Sequence, residues 1–145
     1  MAEVSQVIEI KATPAECYEV ITDFKNYPEF LKESKEAVIE KKSGNTWIVR
    51  FTTEVIKKFS YTLKMTGKAP KTLDWELVKG DMMKSNNGSW TLEALDKNLT
   101  KATYTIDIKL GLFVPGPISK IIVGSNLPAM MSAFKKRIEG KKGKN

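Results

Sequence analysis

The chain contains no histidine, and that single absence removes much of the chemistry available to a small protein. A Ser-His-Asp triad, a Cys-His pair and any histidine metal cluster all need an imidazole. Cysteine is almost missing as well. Cys17 stands alone, so no internal disulfide can form and no set of thiolates can hold zinc. It shares a helical face with Val20, Ile21 and Phe24, which predicts a small buried core residue, and without histidine it has no base to make it a nucleophile. Arginine is limited to Arg50 and Arg137, so bidentate clamps on phosphate or carboxylate are scarce. No window approaches the roughly 18 unbroken apolar residues of a membrane span. The opening Met-Ala-Glu-Val-Ser-Gln has neither the basic region nor the apolar run of a signal peptide, which makes a cytoplasmic location the expectation. The carboxylates are scattered and lack calcium-loop spacing, so no metal and no cofactor is expected.

What remains suits one soluble domain. The 145 residues are 41% apolar, enough to fill a core, and a single domain over residues 1–145 is expected. The net charge of +7 is unevenly placed. Residues 135–145 carry six bases (Lys135, Lys136, Arg137, Lys141, Lys142, Lys144) against Glu139, so +5 lies in the tail and +2 in the other 134 residues. The basic end, with residues 140–145 expected to be flexible, has two readings: a solvated tail, or a contact for an anionic lipid face or RNA.

Periodicity gives the order of elements. Val4 to Lys11 reads as a strand, with Gln6, Ile8 and Ile10 on one face. Thr13-Pro14 with Glu16 is a helix start, and Cys17, Val20, Ile21 and Phe24 follow at helical spacing. Asp23, Asn26 and Pro28 then turn the chain while Phe24, Tyr27, Phe30 and Leu31 crowd four large apolar groups into eight residues. Such a short turn cannot persist alone and must dock on a larger surface. Six further strands follow: Lys35 to Lys42, Thr46 to Ile56, a run from Phe59 to Thr66, Thr72 to Lys79, Ser85 to Leu95 and Lys101 to Leu110, with turns at Ser43-Gly44-Asn45, Lys57-Lys58, Gly80-Asp81 and 96–98. Apolar and polar residues alternate along most of them, which is the pattern of an antiparallel sheet wet on one side. After an apolar loop over 111–117, residues 118–124 read as a short helical stretch. Leu127, Met130, Met131, Phe134 and Ile138 then form one stripe of a last helix, capped by Ser125 or Asn126 and stopped by Gly140.

The predicted fold class is α+β. A seven-stranded curved antiparallel sheet wraps around a long C-terminal helix, with two short helices between strands 1 and 2. Ile10-Lys-Ala-Thr-Pro14, Asp23-x-x-x-Tyr27-Pro-Glu-Phe-Leu31, Gly88-Ser-Trp90-Thr-Leu92 and the Phe113 to Phe134 ending, taken in order, resemble the START-like or SRPBCC superfamily with its helix-grip fold. The nearest likeness is to the polyketide cyclase/dehydrase and coenzyme Q-binding protein group. The resemblance covers nearly the whole chain and implies a deep apolar cavity between sheet and terminal helix. Members bind lipids, quinones, hormones or polyketides there, some act as enzymes, and a related bacterial group associates with ribosomes. The superfamily has no universal catalytic motif to carry over, so no catalytic residue is assigned.

The residues themselves agree on an apolar interior. Trp47, Phe51, Tyr61, Leu63, Met65, Trp75, Trp90, Tyr104, Ile106, Met130, Met131 and Phe134 are the predicted cavity lining, with the methionines as adaptable wall. The same pattern also describes a fully packed core. Tyr61, Tyr104 or Arg50 could orient a ligand, although alternation also allows Arg50 to face outward and places Asp107 on the polar side. Leu112, Phe113 and Val114 are the candidate gate or membrane contact. Three functions follow. The first is binding of an apolar small molecule such as a lipid, quinone or isoprenoid. The second is a polyketide cyclase, aromatase or dehydratase using tyrosines for proton transfer. The third is an interaction module touching a membrane or ribosome through its basic tail. Sequence-specific DNA binding is not expected, because no recognition-helix motif is visible.

Overall fold

A computed structural model describes residues 3–54, 57–111, 114, 116 and 127–143. Seven strands, β1 (Glu3–Ile10), β2 (Ser34–Ser43), β3 (Thr46–Glu54), β4 (Lys58–Lys68), β5 (Thr72–Gly80), β6 (Met83–Asp96) and β7 (Leu99–Leu110), form one sheet in the order β1-β7-β6-β5-β4-β3-β2. Every neighbouring pair is antiparallel. Helix α1 (Pro14–Ile21) and a 3-10 helix (Phe24–Glu29) lie between β1 and β2, and helix α2 (Leu127–Gly143) ends the described chain. The sheet is curved around α2 in the START-like helix-grip arrangement.

Local chemistry explains the joints. Thr13 and Glu16 close a reciprocal capping box: Glu16 N donates to Thr13 Oγ1 at 3.2 Å and Thr13 N donates to Glu16 Oε1 at 2.8 Å. Gly44 takes the β2–β3 turn at φ +59°, a conformation that favours glycine. The Tyr27 hydroxyl donates to the Ile21 carbonyl and ties the 3-10 helix back to the end of α1. Its Phe24 ring is fully buried and meets Trp47 edge-on at 5.5 Å.

The core lies on the concave face. Ile10, Val49, Leu73, Trp90, Ala102 and Tyr104 turn inward from the strands, and Leu127, Met131, Phe134 and Ile138 descend from α2 to meet them. Helix α2 packs against α1 and β1. Lys135 Nζ donates to the Glu9 carbonyl at 2.5 Å, and Lys11 N donates to Glu139 Oε2 at 2.8 Å. Arg137 reaches the 3-10 helix, 2.6 Å from Glu29 Oε1, with its guanidinium 5.1 Å from the Phe30 ring centre.

Two expectations need correction. Helix α2 does not stop at Gly140 but runs to Gly143. A helical glycine costs only about 1 kcal/mol, and lysines on either side favour the last turn of a helix. Strand β4 begins at Lys58, where a turn was expected. The helical stretch over 118–124, the caps at Ser125 and Asn126, and Val55 lie outside the described residues. No helix among the described residues is long and apolar enough to cross a membrane.

Candidate functional site

Between sheet and α2 lies a cavity of about 440 Å³. Its wall is set by strand parity. Along β6, Asn86, Gly88 and Trp90 share the inward face. Along β7, Tyr104, Ile106 and Ile108 stand opposite Trp90, Gly88 and Asn86 respectively. Strands β3 and β4 add Phe51, Thr53, Phe59, Tyr61, Leu63 and Met65, β5 adds Leu73 and Trp75, and α2 contributes Leu127, Ala129, Met130, Ala133 and Phe134. Tyr27, Phe30 and Leu31 close one side. Lys32, Glu33 and Ser34, together with Met83, complete the lining at the strand ends away from α1.

Ten of the twelve predicted lining residues reach this space: Phe51, Tyr61, Leu63, Met65, Trp75, Trp90, Tyr104, Ile106, Met130 and Phe134. Trp47 and Met131 do not. Trp47 shares the inward parity of β3 but sits at the other end of the sheet, where Phe24 and α1 cover it and Lys42 lies 5.8 Å over its ring. Met131 is fully buried within the core. Consecutive helix residues point about 100° apart, so Met130 and Met131 cannot share one outlook. Arg50 faces outward and bridges Glu36 and Glu40, each at 3.7 Å, which removes it as a ligand anchor. Val114 is half-buried; Leu112 and Phe113 lie outside the described residues.

The aromatic side chains form a continuous arc. Rings touch in the order Tyr61, Phe51, Tyr27, Phe134, Trp90, Tyr104 and Trp75, with centres 5.0–5.9 Å apart. Such pairs add about 0.5–1.5 kcal/mol beyond the area they bury, and they present flat apolar faces to the cavity. Gly88 makes the arc possible. A Cβ there would lie 2.4 Å from Trp75 Cζ2 and 2.6 Å from the Thr105 carbonyl, so only glycine lets the indole lie across β6.

The polar groups are few. Trp75 Nε1 donates to Asn86 Oδ1 at 3.1 Å, and Asn86 Nδ2 faces the Met83 thioether at 3.7 Å. Asn86 is one of the few buried polar residues, and periodicity alone pointed past it; its parity with Trp90 is the signal that finds it. Burial raises the pKa of Tyr27, Tyr61 and Tyr104, and neighbouring tyrosines add to the rise at Tyr27 and Tyr104. A hydrogen bond with Thr53 partly opposes the rise at Tyr61. All three hydroxyls therefore stay protonated at neutral pH. The charged groups among the described lining residues are Lys32 and Glu33, both outside the aromatic arc. Cys17 is buried, and its thiol is pushed up to about 11, first by desolvation.

The family model for polyketide cyclase / dehydrase and lipid transport matches residues 10–135. The chain belongs to this family. No curated protein sequence matches it. Among solved structures, a START superfamily protein from Mycobacterium smegmatis shares 22% identity at a TM-score of 0.83, covering 95% of this chain and 97% of the other. The Zhui aromatase/cyclase from Streptomyces sp. R1128 superposes with a TM-score of 0.84 at 15% identity, over 94% and 93% of the two chains. A STAR-related lipid transfer protein from Xanthomonas axonopodis follows at 0.78 and 16%, over 94% of this chain and 85% of that one. At these identities the structures share the family's fold, and the contents of this cavity must be argued from its own wall.

Proposed function

We propose that the protein binds an apolar, ring-bearing small molecule in the space between the sheet and α2. The observation that carries this reading is the cavity itself: about 440 Å³, within the roughly 300–1,000 Å³ of small-molecule sites, walled by an aromatic arc and holding few polar groups. A packed core of this composition would leave few voids larger than a water molecule. The lipid transfer and aromatase/cyclase proteins of the same fold support the reading by analogy.

Native mass spectrometry of the freshly purified protein tests it directly. A reproducible added mass that organic extraction removes is the expected result. Trp75 and Trp90 line the site, so a bound hydrophobic dye such as anilinonaphthalene sulfonate should also quench their emission. No adduct from any expression host, together with no quenching, would remove the role while leaving the fold intact.

A cyclase or dehydratase reading draws on the likeness to the aromatase/cyclase and on the buried tyrosines, whose protonated hydroxyls are proton donors. Turnover of a polyketide chain that Tyr104→Phe abolishes without loss of binding would establish it. Contact with an anionic surface through the basic C-terminus draws less support. Two of its cations, Lys135 and Arg137, are already paired with Glu139 and Glu29. Co-sedimentation with liposomes or ribosomes, with and without residues 140–145, separates that reading from the first.

A further inference from the structure

A second, shallower hollow lies outside the cavity, on the solvent face of α2. Its wall is Phe30, Ala129, Ser132, Ala133, Lys136 and Arg137. Phe30, Ala129 and Ala133 also line the cavity, so one ring and two methyl groups form a wall common to both spaces. The helix repeat explains the outer set. Residues three and four apart are neighbours on a helix, which puts Ala129, Ser132, Ala133 and Lys136 on one face. The Phe30 ring is seated from three directions. Phe134 and Tyr27 meet it edge-on, with ring centres 5.1 and 5.8 Å away, and the Arg137 guanidinium lies 5.1 Å from its centre.

Charge at this rim is uneven. Arg137 is already paired with Glu29 at 2.6 Å. Lys136 and Lys32, the latter two residues beyond Phe30 and part of the cavity lining, are exposed, and no ion pair ties either to a described residue. With Glu33 the rim holds three cations and two carboxylates, which leaves one positive charge unmatched.

We infer that the outer hollow seats the carboxylate head of an amphiphile whose apolar end occupies the cavity, with Ser132 and Lys136 holding it from α2 and Lys32 from the segment after the 3-10 helix. This rests on the proposed binding role and adds a seat outside the cavity for a charged head. A carboxylate drawn in among the rings would lose its hydration and meet no counter-charge. At the rim it keeps water on its outer side, and the one surplus positive charge matches its own. On the helix side the linking chain passes only Ala129 and Ala133, whose short side chains leave room for methylenes. Exposed ion pairs are weak, so the two lysines together should add about two- to tenfold in affinity.

Pyrenebutyrate and pyrenebutanol carry the same rings and the same chain and differ in the head. Energy transfer from tryptophan to bound pyrene measures both affinities on the full chain. The expected result is a preference for the acid of about two- to tenfold at low salt, falling toward one at about 1 M salt, where the screening length is about 3 Å. Lys32→Gln and Lys136→Gln made together should bring the two affinities close to equal at low salt. Lys64→Gln and Lys101→Gln made together remove the same charge from the convex face of the sheet and should leave the preference as it was. Equal affinities in the unaltered protein, or tighter binding of the alcohol, would overturn the head-group seat and leave the binding role standing. A preference that survives the rim substitutions, or that falls as much with the convex-face pair, would overturn the seat as placed. Binding of neither compound would overturn the role and the inference together.

Discussion

Adding one methyl group at Gly88 should disturb both the fold and the cavity. The new Cβ of Gly88→Ala would lie 2.4 Å from Trp75 Cζ2, 2.6 Å from Trp75 Cε2 and 2.6 Å from the Thr105 carbonyl oxygen. Each neighbour must retreat by roughly half an ångström, and neither is free to do so. Thr105 O is backbone of β7, the strand that pairs with β6 along its length. The Trp75 indole is held by its bond to Asn86 and by the Tyr104 ring. Overpacking of this kind costs about 1–3 kcal/mol. Breaking the indole–amide bond and stranding a buried amide adds about 1–3 kcal/mol. For a domain of this size each kcal/mol lowers the melting temperature by about 2–4 °C, so the combined cost of about 2–6 kcal/mol gives an expected fall of about 4–24 °C. Thermal melting by circular dichroism measures the fall, and a shift in tryptophan emission reports the displaced indole. Gly140→Ala is the control: nothing lies within 4 Å of that Cβ and the backbone is helical, so it should stabilise by about 0.5–1 kcal/mol. A Gly88→Ala protein that melts within about 2 °C of the parent with unchanged emission would refute the close approach and the wall built on it.

Phe134→Ala should cost about 3–5 kcal/mol in urea unfolding, because the ring joins the two sides of the aromatic arc, and a loss under about 1 kcal/mol would mean that α2 does not seat there. Native Cys17 should resist Ellman's reagent near pH 8 and react once urea unfolds the chain; rapid labelling of the folded protein would contradict its burial. Its thiol is raised from 9.0 to about 11, so the unfolded chain gives up this proton first. The corresponding stability is whole below about pH 9 and is lost as pH climbs toward 11, and the raised tyrosines act in the same direction. A urea midpoint that stays flat or rises over that range would be against it. Glu139→Gln should weaken the fold by under about 1 kcal/mol, with the difference shrinking at high salt; a larger loss that salt leaves unchanged would make the contact a packing effect rather than an ionic one.

The architecture was legible because strands of period two and a helix of period 3.6 write their buried faces directly into the chain. Tyr104, Ile106 and Ile108 alternate with Thr103, Thr105 and Asp107, and the structure buries the first set. The cavity was legible only in part, because inward parity says which face a side chain occupies but not how far along the sheet the hollow extends. Trp47 has the right parity at the wrong end, under Phe24. Asn86 was overlooked for the opposite reason: its polarity suggested water, while its parity with Trp90 placed it inside. Asn86 accepts a hydrogen bond from a partner that periodicity could not name, the indole of Trp75 on the neighbouring strand, and that contact depends on Gly88 having no side chain. Arg50 was ambiguous in sequence, and Glu36 and Glu40 on the adjacent strand decide its direction.

The two sheet margins are finished differently. At the end of β1, the Lys135 ammonium donates to the Glu9 carbonyl, and just past the strand the Glu139 carboxylate accepts from the Lys11 amide. On β2, breaks in register after Ser34 and Ile39 and a run of lysines and glutamates spoil the flat template that another strand would need. Both features work against edge-to-edge pairing with a further strand.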